Sequence, residues 1–378
     1  MVITNSADKV YISIVYRKLR LDSLRIKVAL RRKIKWYLFG RREQTCSVYN
    51  LERRSSVNAT EIIEVSPNTF VEIWDPRSKK VISHSFQSRS IFRVENVVLE
   101  PRQGLIYSSE GKLLSESTVW QDERIFLSFP WAFKKSRVKS RSFDTEFITH
   151  ISSNSFYHWL VEDLPQLIIT LEKFPNVQIL KRSDSPKYVN DFLNMLGIDF
   201  INIDSPVFLS ELLFVSRGKD SGWPLSEDIY RLRNHEVIKS HIQENASRLK
   251  IYISRKKSTR SPKNEDDVEN LFRRFGFEIY YLEDMSFAEQ IELISSSQFL
   301  AGIHGAGLTH SIWMSEGASV IDIVSDKYWT ECFHRLADIR NLKYLPFVRE
   351  GFHEDELDLF KLETFLKEIF NPERIHRL

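Results

Sequence analysis

The chain of 378 residues is expected to be an α/β protein built on parallel sheets. Three observations carry that expectation. From Phe143 onward, short apolar runs alternate with amphipathic stretches of helical length, and small turn residues mark the joints. One joint, His304-Gly305-Ala306-Gly307, lies between an apolar strand and a helix-forming segment. With 42% hydrophobic and 12% aromatic residues, the chain has enough apolar side chains for two or three cores.

Residues 1–46 read as a basic amphipathic segment. Between Arg17 and Arg42 eleven Lys or Arg residues stand against one acid, Asp22, and Leu19, Ile26, Leu30, Ile34, Tyr37 and Leu38 share one side of a helical wheel. Residues 17–42 therefore either rest on an anionic membrane or form a solvated basic helix or arm. Met1 to Lys9 carry no apolar signal-peptide core, and no later run approaches the roughly 18 apolar residues of a membrane span. The expected location is cytoplasmic, with peripheral contact at the inner face of the membrane if residues 17–42 bind it. Cys46 and Cys332, the only cysteines, lie far apart; that argues against a disulfide framework or thiolate metal site and suits a reducing compartment. The 54 basic and 51 acidic residues nearly cancel to +3, so a nucleic-acid partner is not expected.

Residues 47–142 form a β-rich accessory module, read from runs such as Ile62-Ile63-Glu64-Val65, Thr69 to Trp74, Ser90 to Val94, Asn96 to Leu99 and Gly104 to Tyr107. Residues 143–224 form a first α/β unit: strand Thr145 to His150, helix His158 to Phe174, strand Val177 to Leu180, helix Lys187 to Leu196, strands Phe200 to Ile203 and Leu212 to Val215. Gly218 to Pro224 suits a hinge or cleft, and a helix from Ser226 to Arg248 leads onward. The second unit, residues 225–353, repeats the rhythm with strands Leu249 to Ser254, Phe277 to Tyr281, Gln298 to Ile303, Ser319 to Val324 and Lys343 to Val348. Between them fall helices Glu265 to Phe275, Phe287 to Ser295, one after Gly307, and Trp329 to Ile339. Residues 354–378 close the chain with a helix. Ligands of such sheets bind at the carboxyl ends of the strands.

The His304 turn is where chemistry is expected first. Small residues allow a sharp turn, and the unpaired N–H groups of the following helix favour a phosphate or diphosphate, approached closely at Gly305 and Gly307. The alternative is a tight connection with a satisfied histidine. A second cluster, Ser254-Arg255 with Arg260, Asn264 and Glu265, follows a neighbouring strand; Arg255 suits a bidentate phosphate contact and Arg260 adds a cation, or Asn264 simply caps the next helix. Phe156 to Pro165 is the third. There His158 and Glu162 share a helix face, Asp163 stands beside them, and a general base is available. Pro165 either opens the main helix, with Asp163 as its cap, or kinks a continuous one. Glu283 and Asp284 follow another strand, where an acid can bind ribose, although Asp284 or Ser286 as a helix cap is the preferred reading. No phosphate-loop, dinucleotide or nucleophile-elbow motif occurs, no zinc ligand cluster is visible, and no Asp-x-Asp pair is present to hold a divalent ion.

In this order, these pieces resemble glycosyltransferase family 61, also described as capsular polysaccharide biosynthesis-like or DUF563 proteins. The matching residues are Asn154 to Leu160 with Leu164-Pro165, Tyr252-Ile253-Ser254-Arg255 with Arg260 and Asn264-Glu265, Glu289-Gln290-Ile291, His304-Gly305-Ala306-Gly307-Leu308-Thr309, and Gly317 to Ile321. The resemblance implies a GT-B-like pair of facing Rossmann-like domains: residues 143–224 for the acceptor and 225–353 for a nucleotide-sugar donor, UDP-linked. It implies inverting transfer to a glycan or lipid-linked glycan acceptor, with no cofactor and no obligatory metal. Arg255, Arg260, Asn264, Glu265, Glu283, His304, Gly305, Ala306, Gly307, Leu308 and Thr309 would bind the donor, while His158, Glu162 and Asp163 would supply the base. His310 stands where the family often has Asn, and Asp322 where it often has Glu. The rival expectations are a catalytically silent nucleotide-sugar or glycan-binding subunit of a polysaccharide assembly complex, or another nucleotide-dependent enzyme such as a sugar epimerase.

Overall fold

The structure, a computed structural model, describes residues 45–46, 58–66, 69–75, 80–86, 89–101, 104–114, 117, 139–140, 148–150, 155–216, 222–243, 249–258 and 260–370. The basic stretch 17–42, Asn154 and residues 217–221 lie outside them.

Sheet strands come first along the chain. They are β1 (Thr45–Cys46), β2 (Asn58–Ser66), β3 (Thr69–Asp75), β4 (Lys80–Phe86), β5 (Arg89–Glu100), β6 (Leu105–Ser108), β7 (Leu113–Leu114) and β8 (Lys139–Ser140). β3 and β4 form a hairpin, and β5 pairs antiparallel with both β2 and β6. The first α/β unit follows: β9 (Ile148–His150), α1 (Phe156–His158), a π-helical turn Trp159–Asp163, α2 (Leu164–Lys173), β10 (Gln178–Arg182), α3 (Lys187–Met195), β11 (Ile201–Ile203) and β12 (Val207–Val215). β11, β10 and β9 make a three-stranded parallel sheet.

β12 departs from the expected grouping. It pairs antiparallel along β5, with Phe214 opposite Phe92 and Leu209 opposite Val97. Leu209, Leu212 and Phe214 complete an apolar cluster with Phe92, Val94 and Val97, so burial draws this strand onto the β-rich sheet. The β-rich sheet thus reaches across the change of rhythm at residue 143. A bidentate pair between Arg89 and Asp228, both contacts 2.8 Å and both side chains buried, ties the same strand β5 to the next helix.

The second unit comprises α4 (Ser226–Asn234), α5 (Glu236–His241), β13 (Leu249–Ile253), α6 (Glu265–Arg274), β14 (Glu278–Tyr280), a 3₁₀ turn Leu282–Asp284, α7 (Phe287–Ser295) and β15 (Ser297–Ile303). Beyond these lie a 3₁₀ helix Ala306–Trp313, β16 (Ser319–Ser325), α8 (Cys332–Ile339), β17 (Lys343–Arg349) and α9 (Leu359–Ile369). The five strands are all parallel in the order β14-β13-β15-β16-β17. Period-two alternation divides their side chains. Ile251, Ile253, Leu300 and Val320 join the core with α7, α8 and the 3₁₀ helix, whereas Tyr252, Ala301, Ile321 and Ile323 pack toward α6 and α9. The first core also takes in Trp159, Leu160 and Phe192, with the Phe192 and Phe287 rings 4.1 Å apart, so one apolar core joins the two parallel sheets.

Two local departures shape the site. The segment after the His304 turn is a 3₁₀ helix rather than an α-helix: Leu308 N donates to Gly305 O, and the Thr309 hydroxyl occupies the Ala306 carbonyl at 2.7 Å. Its far end is held by cations, with Arg233 donating to the carbonyls of Ile312 and Trp313 and Arg340 to that of Met314. At Pro165 the chain neither stops nor caps. α1, the π turn and α2 run on continuously, Pro165 sits at the start of α2, and Asp163 makes no side-chain cap. The expected single helix from Ser226 is two short ones, interrupted at His235.

Candidate functional site

The loop after β13 is fixed from below. Glu265, buried at the start of α6, accepts from Tyr252 Oη at 3.0 Å, Ser254 Oγ at 3.1 Å and the Arg255 N–H at 2.8 Å. Burial raises its carboxyl pKa and these hydrogen bonds oppose the rise. Glu269 secures Ser254 Oγ and Tyr281 Oη, both at 2.8 Å. Thus Glu265 holds the backbone that presents Arg255. Asn264 is also structural: its side chain donates to Leu357 O and accepts from Leu357 N, which pins the loop before α9 instead of capping α6.

Arg255 is half-buried and lies against the glycine turn, with Nη1 donating to His304 O at 3.2 Å. Burial first, and then the neighbouring Arg260, lower its pKa to about 10, so it remains a cation at neutral pH. Arg260 is exposed beside it. Glu283, exposed on the 3₁₀ turn, adds an opposite charge within reach of Arg255, while Asp284 pairs with Lys257 and Ser286 caps α7 in a capping box with Glu289. From Leu300 to Met314 only Gly305, Ala306 and Gly307 are not buried. The chain therefore reaches the surface there only at the turn, beside two guanidinium groups. The side chains of Leu308 and Thr309 are buried at 1% and 0% exposure, so these residues offer a ligand their backbone alone.

His304 faces inward. Its Nδ1 is 2.9 Å from Asp322 Oδ2, which also accepts from Tyr344 Oη at 2.7 Å, and its Nε2 is 3.4 Å from Thr330 Oγ1. Thr330 Oγ1 in turn meets Cys332 Sγ at 3.0 Å, a thiol that burial pushes up to about 12 and so keeps protonated.

In the other cluster, His158 Nδ1 lies 2.7 Å from Glu162 Oε2, and Glu162 Oε1 accepts from the Gly222 N–H at 2.5 Å. Tyr157 Oη closes the arrangement on Gly222 O at 2.7 Å. With Nδ1–H donated to the carboxylate, the ring takes up a proton through Nε2. Asp163 is separate. It is buried and lines a cavity of about 20 Å³, room for one water, with Thr149, His150, Gln166, Thr170 and Leu213. The two clusters nevertheless meet: the Phe333 ring packs edge-on against Tyr157 at 5.6 Å and His304 at 4.9 Å.

The Glycosyltransferase 61 family model matches residues 156–321. Over these residues the chain is similar to glycosyltransferase family 61. Xylan glycosyltransferase MUCI21 of Arabidopsis thaliana is 29% identical over 112 residues, which are 27% of this chain and 23% of that protein. The EGF domain-specific O-linked N-acetylglucosamine transferases of Pan troglodytes and Mus musculus are 24% and 26% identical, over 26% and 25% of this chain and 20% and 18% of theirs. The alignments thus span about a fifth of the relatives' own length. Among solved structures, the dodecameric iron-containing heptosyltransferase TibC in complex with ADP-D-beta-D-heptose aligns with TM-score 0.27 and 8% identity over 71% of this chain and 77% of that chain.

Every site residue expected from the sequence, from His158 to Thr309, falls inside the family 61 segment. Their pairings with Asp322, Tyr344 and Thr330 were not read from the sequence. Asp322 is a lone charge within the apolar run Val320-Ile321-Asp322-Ile323-Val324, and that interruption was the available signal. Tyr344 and Thr330 carry none. No group of three or more His, Cys, Asp or Glu placed to hold a metal occurs among the described residues, and no described helix is long and apolar enough to cross a membrane.

Proposed function

We propose that this chain is an inverting, metal-independent glycosyltransferase of the GT-B-like type, moving a sugar from a nucleotide donor, UDP-linked, to a hydroxyl of a glycan or lipid-linked glycan in surface or capsular polysaccharide biosynthesis. The observation that carries this reading is the half-buried Arg255 lying on the only surface-reaching turn of the 300–314 segment, with Arg260 beside it. The relatives named above transfer sugars, one to xylan and the others in O-linkage, which supports a hydroxyl acceptor.

The chemistry follows from the placement. His158 Nε2 takes the acceptor hydroxyl proton as that oxygen bonds to the anomeric carbon, and Glu162 holds the imidazolium that forms. The bond from the anomeric carbon to the diphosphate oxygen breaks, and its electron pair leaves on the diphosphate. Arg255, Arg260 and the N–H groups of the turn stabilise that charge in place of a divalent ion. One base and one cationic site suffice for single displacement, which inverts the anomer. Residues 17–42 remain the candidate contact with an anionic membrane at the cytoplasmic face.

The test is a screen of nucleotide sugars with and without divalent ions, following release of nucleoside diphosphate and the product anomer by NMR. Arg255→Ala is expected to lose about 2 to 4 kcal/mol of transition-state stabilisation. Unchanged turnover in that variant, or a retained anomer, would overturn the mechanism.

A further inference from the structure

The loop after β17 is anchored far more heavily than a surface connection requires. Arg349 donates to the carbonyls of His353, Asp355 and Glu356 at 3.1 to 3.2 Å, and the Asp355 carboxylate accepts from Phe352 N at 2.8 Å. Asp326 and Ser325 bind Gly351, and Asn264 binds Leu357 in both directions. The result is a rigid loop at the carboxyl edge of the parallel sheet. Its one inward polar side chain is His353, only 4% exposed.

Neither ring nitrogen of His353 has a hydrogen-bond partner among the described residues. A neutral imidazole offers one donor and one acceptor, and leaving them unmet in the interior is costly. The ring stacks parallel on His304 at 6.0 Å and lies under the half-exposed ring of Tyr328 at 5.8 Å. Burial first, and then the neighbouring His304, Arg255, Arg260 and Arg349, lower its pKa to about 4. Every one of these neighbours is cationic or becomes so on protonation. An anionic oxygen is the partner that such surroundings lack.

We propose that His353 is a donor-site residue: its imidazole hydrogen-bonds a phosphate oxygen of the nucleotide diphosphate seated beside Arg255 and the Gly305 turn, and Tyr328 turns outward to admit it. This assignment rests on the glycosyltransferase reading and adds a ligand-binding group from beyond the family 61 segment, which ends at residue 321. The unmet nitrogens are then satisfied only in the complex. A loop braced at six points keeps them in place beforehand, so the ordering cost falls outside the binding step.

Calorimetric titration of the full chain with UDP, GDP and ADP, beside thermal melts, tests the assignment on wild type, His353→Leu, His353→Gln and Arg255→Ala. The expected result is that His353→Leu weakens the nucleoside diphosphate by about 10-fold or more, since a hydrogen bond to a charged group is lost, while the ligand-free melting temperature stays level or rises because two unmet polar atoms are gone. His353→Gln, which keeps a donor, recovers part of the affinity. Undiminished binding in His353→Leu with weakened binding in Arg255→Ala would overturn the His353 assignment alone. A lower ligand-free melting temperature in His353→Leu would overturn it too, by making the imidazole structural. Failure of wild type to bind any of the three nucleotides overturns the donor-site reading itself.

Discussion

A Cβ placed on Gly305 would lie 2.6 Å from Arg255 Nη2 and 3.0 Å from its Cζ, closer than any side chain tolerates. The backbone at Gly305 is extended (φ 161°, ψ −178°), so the glycine is required by the guanidinium and not by the turn's dihedral angles. Gly305→Ala is therefore expected to displace the end of the arginine side chain while the backbone stays put. Transfer should fall by about 100-fold, as for a misplaced binding group, with little change in melting temperature. Measured kcat/KM near wild type would separate Arg255 from the chemistry.

The His158–Glu162 pair allows a test in which shape is conserved and proton position is not. In Glu162→Gln the amide oxygen takes the Gly222 N–H, and the amide nitrogen must then donate to His158 Nδ1. That moves the imidazole proton to Nε2 and removes the base. Expected losses in kcat are about 10² to 10⁴-fold for Glu162→Gln and His158→Ala, with donor affinity retained. Asp163→Asn, altering a group that lines a separate cavity, should leave kcat within a few-fold. A full rate in Glu162→Gln would exclude His158 as the base.

What was legible in the sequence divides along physical lines. β13, β15 and β16 are apolar runs bounded by polar or small residues, and local pattern alone places them and the Gly305 turn at one sheet edge. The Ser286–Glu289 capping box is equally local. By contrast, β12 reads as an α/β strand until burial against Phe92 and Val94 assigns it to the β-rich sheet, a non-local choice. The inward turn of His304 depends on Asp322, 18 residues away, and the 3₁₀ geometry on a Thr309 hydroxyl bond. Loops give no period at all, which is why His353 passed unnoticed while Arg255, placed directly after a strand, did not.

Asp322 should be the costliest of these partners to alter. Its Oδ2 receives both His304 Nδ1 and Tyr344 Oη, and its residue is fully buried. Asp322→Asn can keep its one oxygen at the Oδ2 position, but it removes the charge and buries an NH₂ where Oδ1 has no hydrogen-bond partner among the described residues. Urea denaturation is expected to register a loss of about 1 to 3 kcal/mol, the cost of leaving buried polar atoms unmet. Asp322→Glu keeps the charge but lengthens the arm, so it should lose less if His304 can shift with it. Equal stability of wild type and Asp322→Asn would show that the carboxylate charge contributes nothing there.

His310 is expected to lower the stability of the fold in acid. Its ring stacks on Phe156 at 4.8 Å, accepts from Trp313 Nε1 at 3.2 Å through Nδ1, and is pushed down to about 3 by burial. In the unfolded chain the same group titrates near its usual value, about 6.5. Between those two values the unfolded state binds the extra proton, so this contribution is fully present above about pH 6.5 and is lost progressively as pH falls toward 3. His310→Asn keeps an acceptor for Trp313 and removes the titration. The variant should therefore lose less stability than wild type between about pH 6.5 and 4, measured by urea midpoints at each pH. Parallel pH profiles for the two proteins would mean that His310 does not govern the acid limb.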